Sequence, residues 1–273
     1  MTNGPNWNWV WVNVIQKTIY SGRLISTRGE NVHERDHVTV ELNMNYPVLT
    51  VPERKLNYRF AAAEAEWILR GSNRVEDLIP YNGRMRDFSD DGETLYGAYG
   101  PRYTSQLHYV VGKLRSDPNT RQATMTTWIG NPMKTKDVPC TVALDFKIRE
   151  GRLHTHVFMR SSDIWLGLPY DAFAFSMMSM RVLENLNTVP AAETVLPGTL
   201  YITAASSHLY DKHLDAAMEI VKSVSHPIGP KAAVPRKFYD PLDRVGPDKR
   251  DLIERLRDLK DTKRGDPSRW WEA

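Results

Sequence analysis

The stretch Met159-Arg160-Ser161-Ser162-Asp163-Ile164-Trp165-Leu166-Gly167-Leu168-Pro169-Tyr170-Asp171 lies where one hydrophobic period gives way to another. Before it, Leu153, Thr155, Val157 and Met159 alternate with polar neighbours, the two-residue period of a half-buried strand. Further upstream Val142, Leu144, Phe146 and Ile148 alternate in the same way, and Glu150-Gly151 between the two runs predicts an antiparallel hairpin with Cys140 at its entrance. After the stretch, Phe175, Met178, Val182 and Leu186 recur at helical spacing over residues 171–187.

Outward from this centre the pattern continues on both sides. Trp7, Trp11, Val14 and Ile15 predict an amphipathic helix over 6–20, ended by Ser21-Gly22, with its tryptophans packing on a core. Val38, Val40, Leu42 and Met44 predict a strand that stops at Tyr46-Pro47, and residues 55–70 return to the helical period. A short strand is expected around 199–205 and a helix over 211–223, with Leu214, Ala217, Met218 and Val221 on one face. Neighbouring strands mixed with helices mean an α+β fold with a mixed or antiparallel sheet, not a regular βαβ array. The expected organisation is one catalytic unit over 1–225 and an extension over 226–273. That tail is rich in Pro and charge and carries one short amphipathic helix with Leu252, Ile253, Leu256 and Leu259 on one face.

With 273 residues, 41% hydrophobic and 25% charged, the chain has ample length for a core and excludes disordered or collagen-like classes. The single cysteine, Cys140, excludes an intrachain disulfide and any zinc cluster built on several thiols, and it is compatible with a reducing compartment. No run approaches the roughly 20 apolar residues of a membrane span, and Met1–Pro5 lacks the features of a secretory signal, so the expectation is a cytoplasmic protein, or one of the host cytoplasm if phage-encoded, with no membrane partner. The net charge of +3 is matched by residues 230–273, which hold 12 basic and 9 acidic side chains. Only the tail therefore suggests nucleic-acid contact, and for the whole chain such a partner is not expected.

Three features carry candidate chemistry. Glu64 shares a helical face with Phe60, Trp67 and Ile68, which puts a carboxylate on a buried stripe, where it is either paired with a cation or a functional acid or base. Glu66 is expected to face the other way, into solvent. Cys140 follows Pro139 and reads either as a small buried apolar side chain or as a nucleophile. His154 and His156 lie on one face of a strand but have no third ligand spaced near them, so no metal site is expected.

The Met159–Asp171 stretch strongly resembles the Arg-Ser-x-Asp-x-x-Leu-Gly-Leu-Pro-Phe-Asn signature of the thymidylate synthase family, which includes the cytidylate hydroxymethylases. Other pieces follow in the family's order: Arg28 in an early phosphate loop, Glu64 before Trp67, Tyr96-Gly97, Asp117–Arg121, Pro139-Cys140 and Ser207-His208-Leu209-Tyr210. The resemblance spans about 14–223. It implies Cys140 as the thiolate that adds to C6 of a pyrimidine, so that C5 attacks a one-carbon electrophile, with Glu64 and Asp171 completing the catalytic set. It implies Arg28, Arg160, Ser161, His208 and Tyr210 as nucleotide contacts, Asp163 and Gly167 as contacts to methylenetetrahydrofolate, and a homodimer through the sheet face. Arg121 would then reach the partner's phosphate site. Gln122 replaces the second of two arginines that the family usually carries.

Two departures choose among family members. Asp171 stands where thymidylate synthases have Asn, and an acceptor carboxylate matches the cytosine amine, so the substrate is expected to be CMP or dCMP. No Trp lies between Trp67 and Trp128, and Asp137 replaces an apolar residue three before Cys140. Both changes make the pocket more polar, which favours water over hydride at the transferred carbon and hence a 5-hydroxymethyl product. Cytidylate methylation and thymidylate synthesis are the enzymatic alternatives, and a nucleic-acid or partner-binding protein is the non-enzymatic one. A DNA cytosine methyltransferase is disfavoured because no glycine-rich strand–loop–helix start is present.

Overall fold

A computed structural model describes residues 6–27, 29–188, 194–223 and 251–262. The chain opens with helix α1 (Trp7–Ser21), entered through Asn6, whose side chain accepts the Asn8 N–H. Strands β1 (Arg23–Thr27) and β2 (Glu30–Asn43) follow. Next come α2 (Tyr58–Leu69), the single turn α3 (Met85–Phe88), α4 (Tyr99–Ser116) and the short strand β3 (Thr124–Thr126). Strands β4 (Thr141–Arg149) and β5 (Arg152–Asp163) form the hairpin, and Glu150 and Gly151 have φ of 51° and 69°, the paired positive angles of a type I′ turn. Helix α5 (Leu168–Leu186), strand β6 (Leu196–Tyr210), α6 (Leu214–Ser223) and α7 (Leu252–Asp261) complete the set.

The six strands lie in the order β1-β2-β6-β5-β4-β3, antiparallel throughout except where β5 pairs with β6 in parallel. That parallel step needs a crossover, and α5 supplies it. Phe173, Phe175, Met177, Met180 and Val182 on α5 are all buried, so its apolar surface runs around the helix, as expected of a helix enclosed by core. Its hydroxyls are satisfied locally: Ser176 donates to the Ala172 carbonyl and Ser179 to that of Phe175. The far face of the sheet is polar and aromatic. There His156 stacks on Tyr201 at 4.6 Å, the Thr39 and Thr203 hydroxyls meet at 2.9 Å, and Phe158 stays 47% exposed.

Several expectations need correction. The strand expected at 199–205 is the fifteen-residue β6, which runs on through the polar Ser206-Ser207-His208 at its C-terminal end. Of the N-terminal tryptophans, Trp7 and Trp11 are buried but Trp9 is exposed. Glu66 is the larger error: it is 1% exposed and lies in ion-pair contact with Arg70, Arg257 and Lys260. Its cover is α7, whose Leu252, Leu256 and Leu259 are buried, so this part of the tail packs on the rest of the fold instead of standing apart as an appendage. Among the described residues no helix is long and apolar enough to cross a membrane.

Candidate active site

Cys140 is half-buried just before β4, and Arg160 on β5 is its cross-strand neighbour. The Arg160 N–H donates to the Cys140 carbonyl at 2.8 Å. The guanidinium then folds back: Nε donates to the Pro139 carbonyl at 2.9 Å, Nη2 to that of Val138 at 2.8 Å, and Nη2 stands 3.7 Å from Sγ. Two carbonyls therefore hold a cation against the thiol.

Helix α5 begins beside this pair, and its first turn carries Asp171. Burial, then the negative charge of Asp163, pushes the Asp171 carboxyl up to about 7. Glu64, on α2, is pushed up to about 8 by burial and then by Asp171. Asp163 occupies the other end of this row of acids, and its Oδ1 accepts the N–H groups of Trp165 and Leu166 at 2.9 and 2.8 Å. Tyr99, at the start of α4, joins the two halves: its hydroxyl accepts the Thr141 N–H, and burial, Asp171 and Cys140 together raise its pKa well above the usual phenol range.

The Glu64 proton has a consequence for stability. Below the ordinary carboxyl value of 4.5 both folded and unfolded chains hold it. As pH rises from there to about 8 the unfolded chain ionises and the folded one does not, so stability falls with pH across that window. Glu64→Gln escapes the loss and is expected to stabilise the protein by at least about 1 kcal/mol above the window and by nearly nothing below it. Thermal melts at both ends of the window check this, and an equal Tm shift at both would contradict it.

The loop between β5 and α5 is braced from outside. Arg54 donates through Nε and Nη2 to the Trp165 carbonyl at 3.0 and 2.8 Å, and its guanidinium lies 5.0 Å over the Trp165 ring. Trp11 of α1 donates from Nε1 to the Ile164 carbonyl at 2.8 Å. Within this loop Gly167 is tightly placed, because a Cβ there would stand 3.2 Å from the Asp163 carbonyl and 3.3 Å from Asp171 Oδ2. A third group forms the end of the cleft, where His208 on β6 pairs in register with Asp163 and with Glu34 of β2. The His208 ring is 3.5 Å from the Ser161 hydroxyl and edge-on to Tyr210 at 5.3 Å.

A thiol beside an anchored guanidinium, with Tyr99 lying between it and a pair of buried carboxyls, suits a nucleophile with an acid–base pair. The thymidylate synthase family pattern matches residues 11–241. The chain belongs to the thymidylate synthase family. A deoxyuridylate hydroxymethyltransferase of Bacillus phage SP01 is 31% identical over 224 residues, covering 74% of this chain but 56% of that protein, so the chain spans little more than half of that relative. A putative thymidylate synthase of Methanosarcina acetivorans is 28% identical over 72% of this chain and 83% of its own length. The thymidylate synthase of Buchnera aphidicola subsp. Baizongia pistaciae is 24% identical over 74% and 77%.

Of the site residues taken from the thymidylate synthase motifs, the structure brings Cys140, Arg160, Ser161, Asp163, Gly167, Asp171, Glu64, His208 and Tyr210 into one region. Arg28 lies outside the described residues. Arg121 is exposed on the loop before β3, and no hydrogen bond or ion pair joins it to the others among the described residues; its neighbour Gln122 accepts from Lys113 Nζ at 2.8 Å. Asp137 is committed elsewhere than expected: its Oδ2 accepts the Gly97 N–H at 2.7 Å, and a Cβ at Gly97 would come within 2.6 Å of its carbonyl. Tyr96 and Ala98 line a cavity of about 500 Å³ with Arg102 and Met133, which none of Cys140, Glu64 and Asp171 reaches. Arg54 and Tyr99 escape sequence reading altogether. Arg54 sits in the charged run Pro52–Lys55, which reads as a solvated loop, and no local signal marks Tyr99.

Proposed function

We propose that the protein transfers a one-carbon unit to C5 of a cytidine monophosphate, CMP or dCMP, and adds water to give the 5-hydroxymethyl nucleotide. Asp171, a buried carboxyl beside Glu64 at the place where the family's signature has Asn, carries this reading. Methylenetetrahydrofolate, when bound, supplies the electrophilic carbon. Asp163 and Gly167 would hold it, and the missing side chain at Gly167 leaves a cradle that a Cβ would crowd.

Cys140 ionises beside Arg160, since a neighbouring cation favours the thiolate, and attacks C6 of the pyrimidine. Arg160, with Ser161 and Arg28, also meets the phosphate, while His208 and Tyr210 take the sugar hydroxyl. As the covalent bond forms, charge builds on the ring, and Asp171 gives its proton to cytosine N3 while accepting from the 4-amino group. C5 then bonds to the transferred carbon and gives up its own hydrogen as a proton, water oriented by Glu64 adds to that carbon with release of tetrahydrofolate, and expulsion of Cys140 from C6 restores the ring double bond. No metal is required by this scheme.

A second reading, hydroxymethylation of deoxyuridylate, is favoured by the activity for which the phage relative is named and by the proton that Asp171 can hold. A neutral carboxyl both donates and accepts, and so can also face uracil O4 and N3–H. Incubating the protein with CMP, dCMP and dUMP plus the folate, then weighing the products, decides between the two. A +30 Da cytidylate (about, for a hydroxymethyl group) supports the first reading, and exclusive turnover of dUMP overturns it.

The working form is a two-fold homodimer, joined through the polar and aromatic sheet face, in which Arg121 completes the partner's phosphate site. Mixing Cys140→Ser with Arg121→Ala subunits is expected to restore about a quarter to a half of the activity, although each variant alone is inactive, because one site of the mixed dimer is then intact. A fully active monomer in sedimentation would contradict this.

A further inference from the structure

Glu64 and Glu66 sit two residues apart on α2, about 200° around the helix axis, so that one faces the cleft and the other the opposite side. The opposite side is closed by α7. Glu66 Oε1 is 2.9 Å from Arg70 Nε and 3.4 Å from Arg257 Nε, and Oε2 is 3.2 Å from Lys260 Nζ. Two of these three cations belong to α7. The same helix is tied at two further points: Arg59, on α2, donates to the Lys260 carbonyl at 2.7 Å, and Tyr81 donates to Asp261 at 2.8 Å. Its N-terminus is held by α5, where the buried Glu184 accepts the Leu252 N–H at 3.3 Å and Arg181 reaches Asp251 at 3.5 Å. α7 thus bridges the helix that carries Glu64 to the helix that carries Asp171.

We propose that Glu66 is a positioning residue: clamped to Arg257 and Lys260, it fastens α7 across α2 and α5 and so sets the distance between Glu64 and Asp171 on the far side. The C-terminal helix is then part of the catalytic apparatus, although it contributes no group to the cleft. A buried carboxylate with three cations is costly to leave half-paired, so the clamp is closed whenever α7 is in place. Its loosening lets α2 shift and admits water to the carboxyl pair. The kinetic readout rests on the proposed one-carbon transfer, but the titration readout does not.

The groups facing Glu64 are Asp171 and Tyr170 from α5; those facing Glu66 are Arg70 from its own helix, Arg257 and Lys260 from α7, and Tyr81. The test uses the full chain with carboxyl-labelled glutamate, following Glu64 by carbon NMR and assigning it with Glu64→Gln. Glu66→Gln and the double variant Arg257→Gln/Lys260→Gln are both expected to lower the Glu64 pKa by about half a unit or more. Both are expected to lower kcat about tenfold while leaving the nucleotide KM within about twofold, and Glu66→Asp is expected to recover much of the loss. The double variant separates positioning from charge acting through space, because removing two cations by charge alone would raise the Glu64 pKa. A rise or no change there overturns the proposal. So does a Glu66→Gln protein that melts earlier but keeps Glu64 and kcat at their wild-type values; Ile220→Ala on α6 shows what a loss of stability alone does. Should Glu66→Gln fail to fold, the double variant, which leaves Glu66 itself unchanged, decides. If the wild type turns over no pyrimidine nucleotide, the functional reading fails while the titration still judges the clamp.

Discussion

Cys140→Ser is expected to abolish turnover, by about 10⁴-fold or more, while nucleotide affinity stays within about tenfold of wild type. The hydroxyl is a far weaker nucleophile, and no cation 3.7 Å away ionises an alcohol at neutral pH. Binding survives because Arg160 is anchored by the carbonyls of Val138 and Pro139 and not by the sulfur. The phosphate contact should therefore remain in place after the exchange. Product mass spectrometry and a nucleotide titration measure the two effects separately. Appreciable product from the variant would sink covalent catalysis, and lost affinity with it would show that the thiol also shapes the phosphate site.

Asp171→Asn is expected to lower the kcat/KM ratio of cytidylate over uridylate at least tenfold. Addition at C6 leaves cytosine N3 needing a proton. A carboxyl poised at about 7 can give one, and an amide cannot. Uracil arrives with N3 already protonated, and an amide can turn to satisfy N3–H and O4 together. Each buried polar group left without a partner costs about 1–3 kcal/mol, a range that contains the roughly 1.4 kcal/mol of a tenfold change. The pH profile follows the same proton: cytidylate turnover should decline as pH climbs past about 7, and that limb should vanish in the variant. Competitive turnover of both bases measures the ratio. A wild type that prefers uracil, or a ratio unmoved by the substitution, removes Asp171 from base recognition.

Much of this arrangement is legible in the residues, and the remainder is hidden for definite reasons. The hairpin is plain because its alternation and its Glu150-Gly151 turn are local properties. The proposed nucleophile and acid row are legible only through the Met159–Asp171 stretch and its companion motifs, because spacing alone leaves Cys140 and Glu64 open. α4 escapes notice because its face toward the core is narrow: Tyr103, Val110, Val111 and Leu114 are buried among many polar residues. Glu66 defies its periodicity because helical spacing sorts residues relative to one buried stripe, and α2 has a second cover supplied by a distant segment. Arg54 and Trp11 support the loop after β5 through backbone carbonyls, and a carbonyl leaves no trace in sequence.

The pairing of β2 with β6 bears on how the enzyme comes into being. Glu34 and Ser206, bonded across that ladder, are 172 residues apart, and His208 lies near the end of the same strand. Closing so long a loop precedes any reward from the contacts it creates, which places this fold among the slower ones. During synthesis at about 5–20 residues per second, β1, β2 and the hairpin are exposed for many seconds before their central partner emerges. The unpaired flank of β2 is then the segment most open to wrong pairing, and chaperone demand should concentrate there.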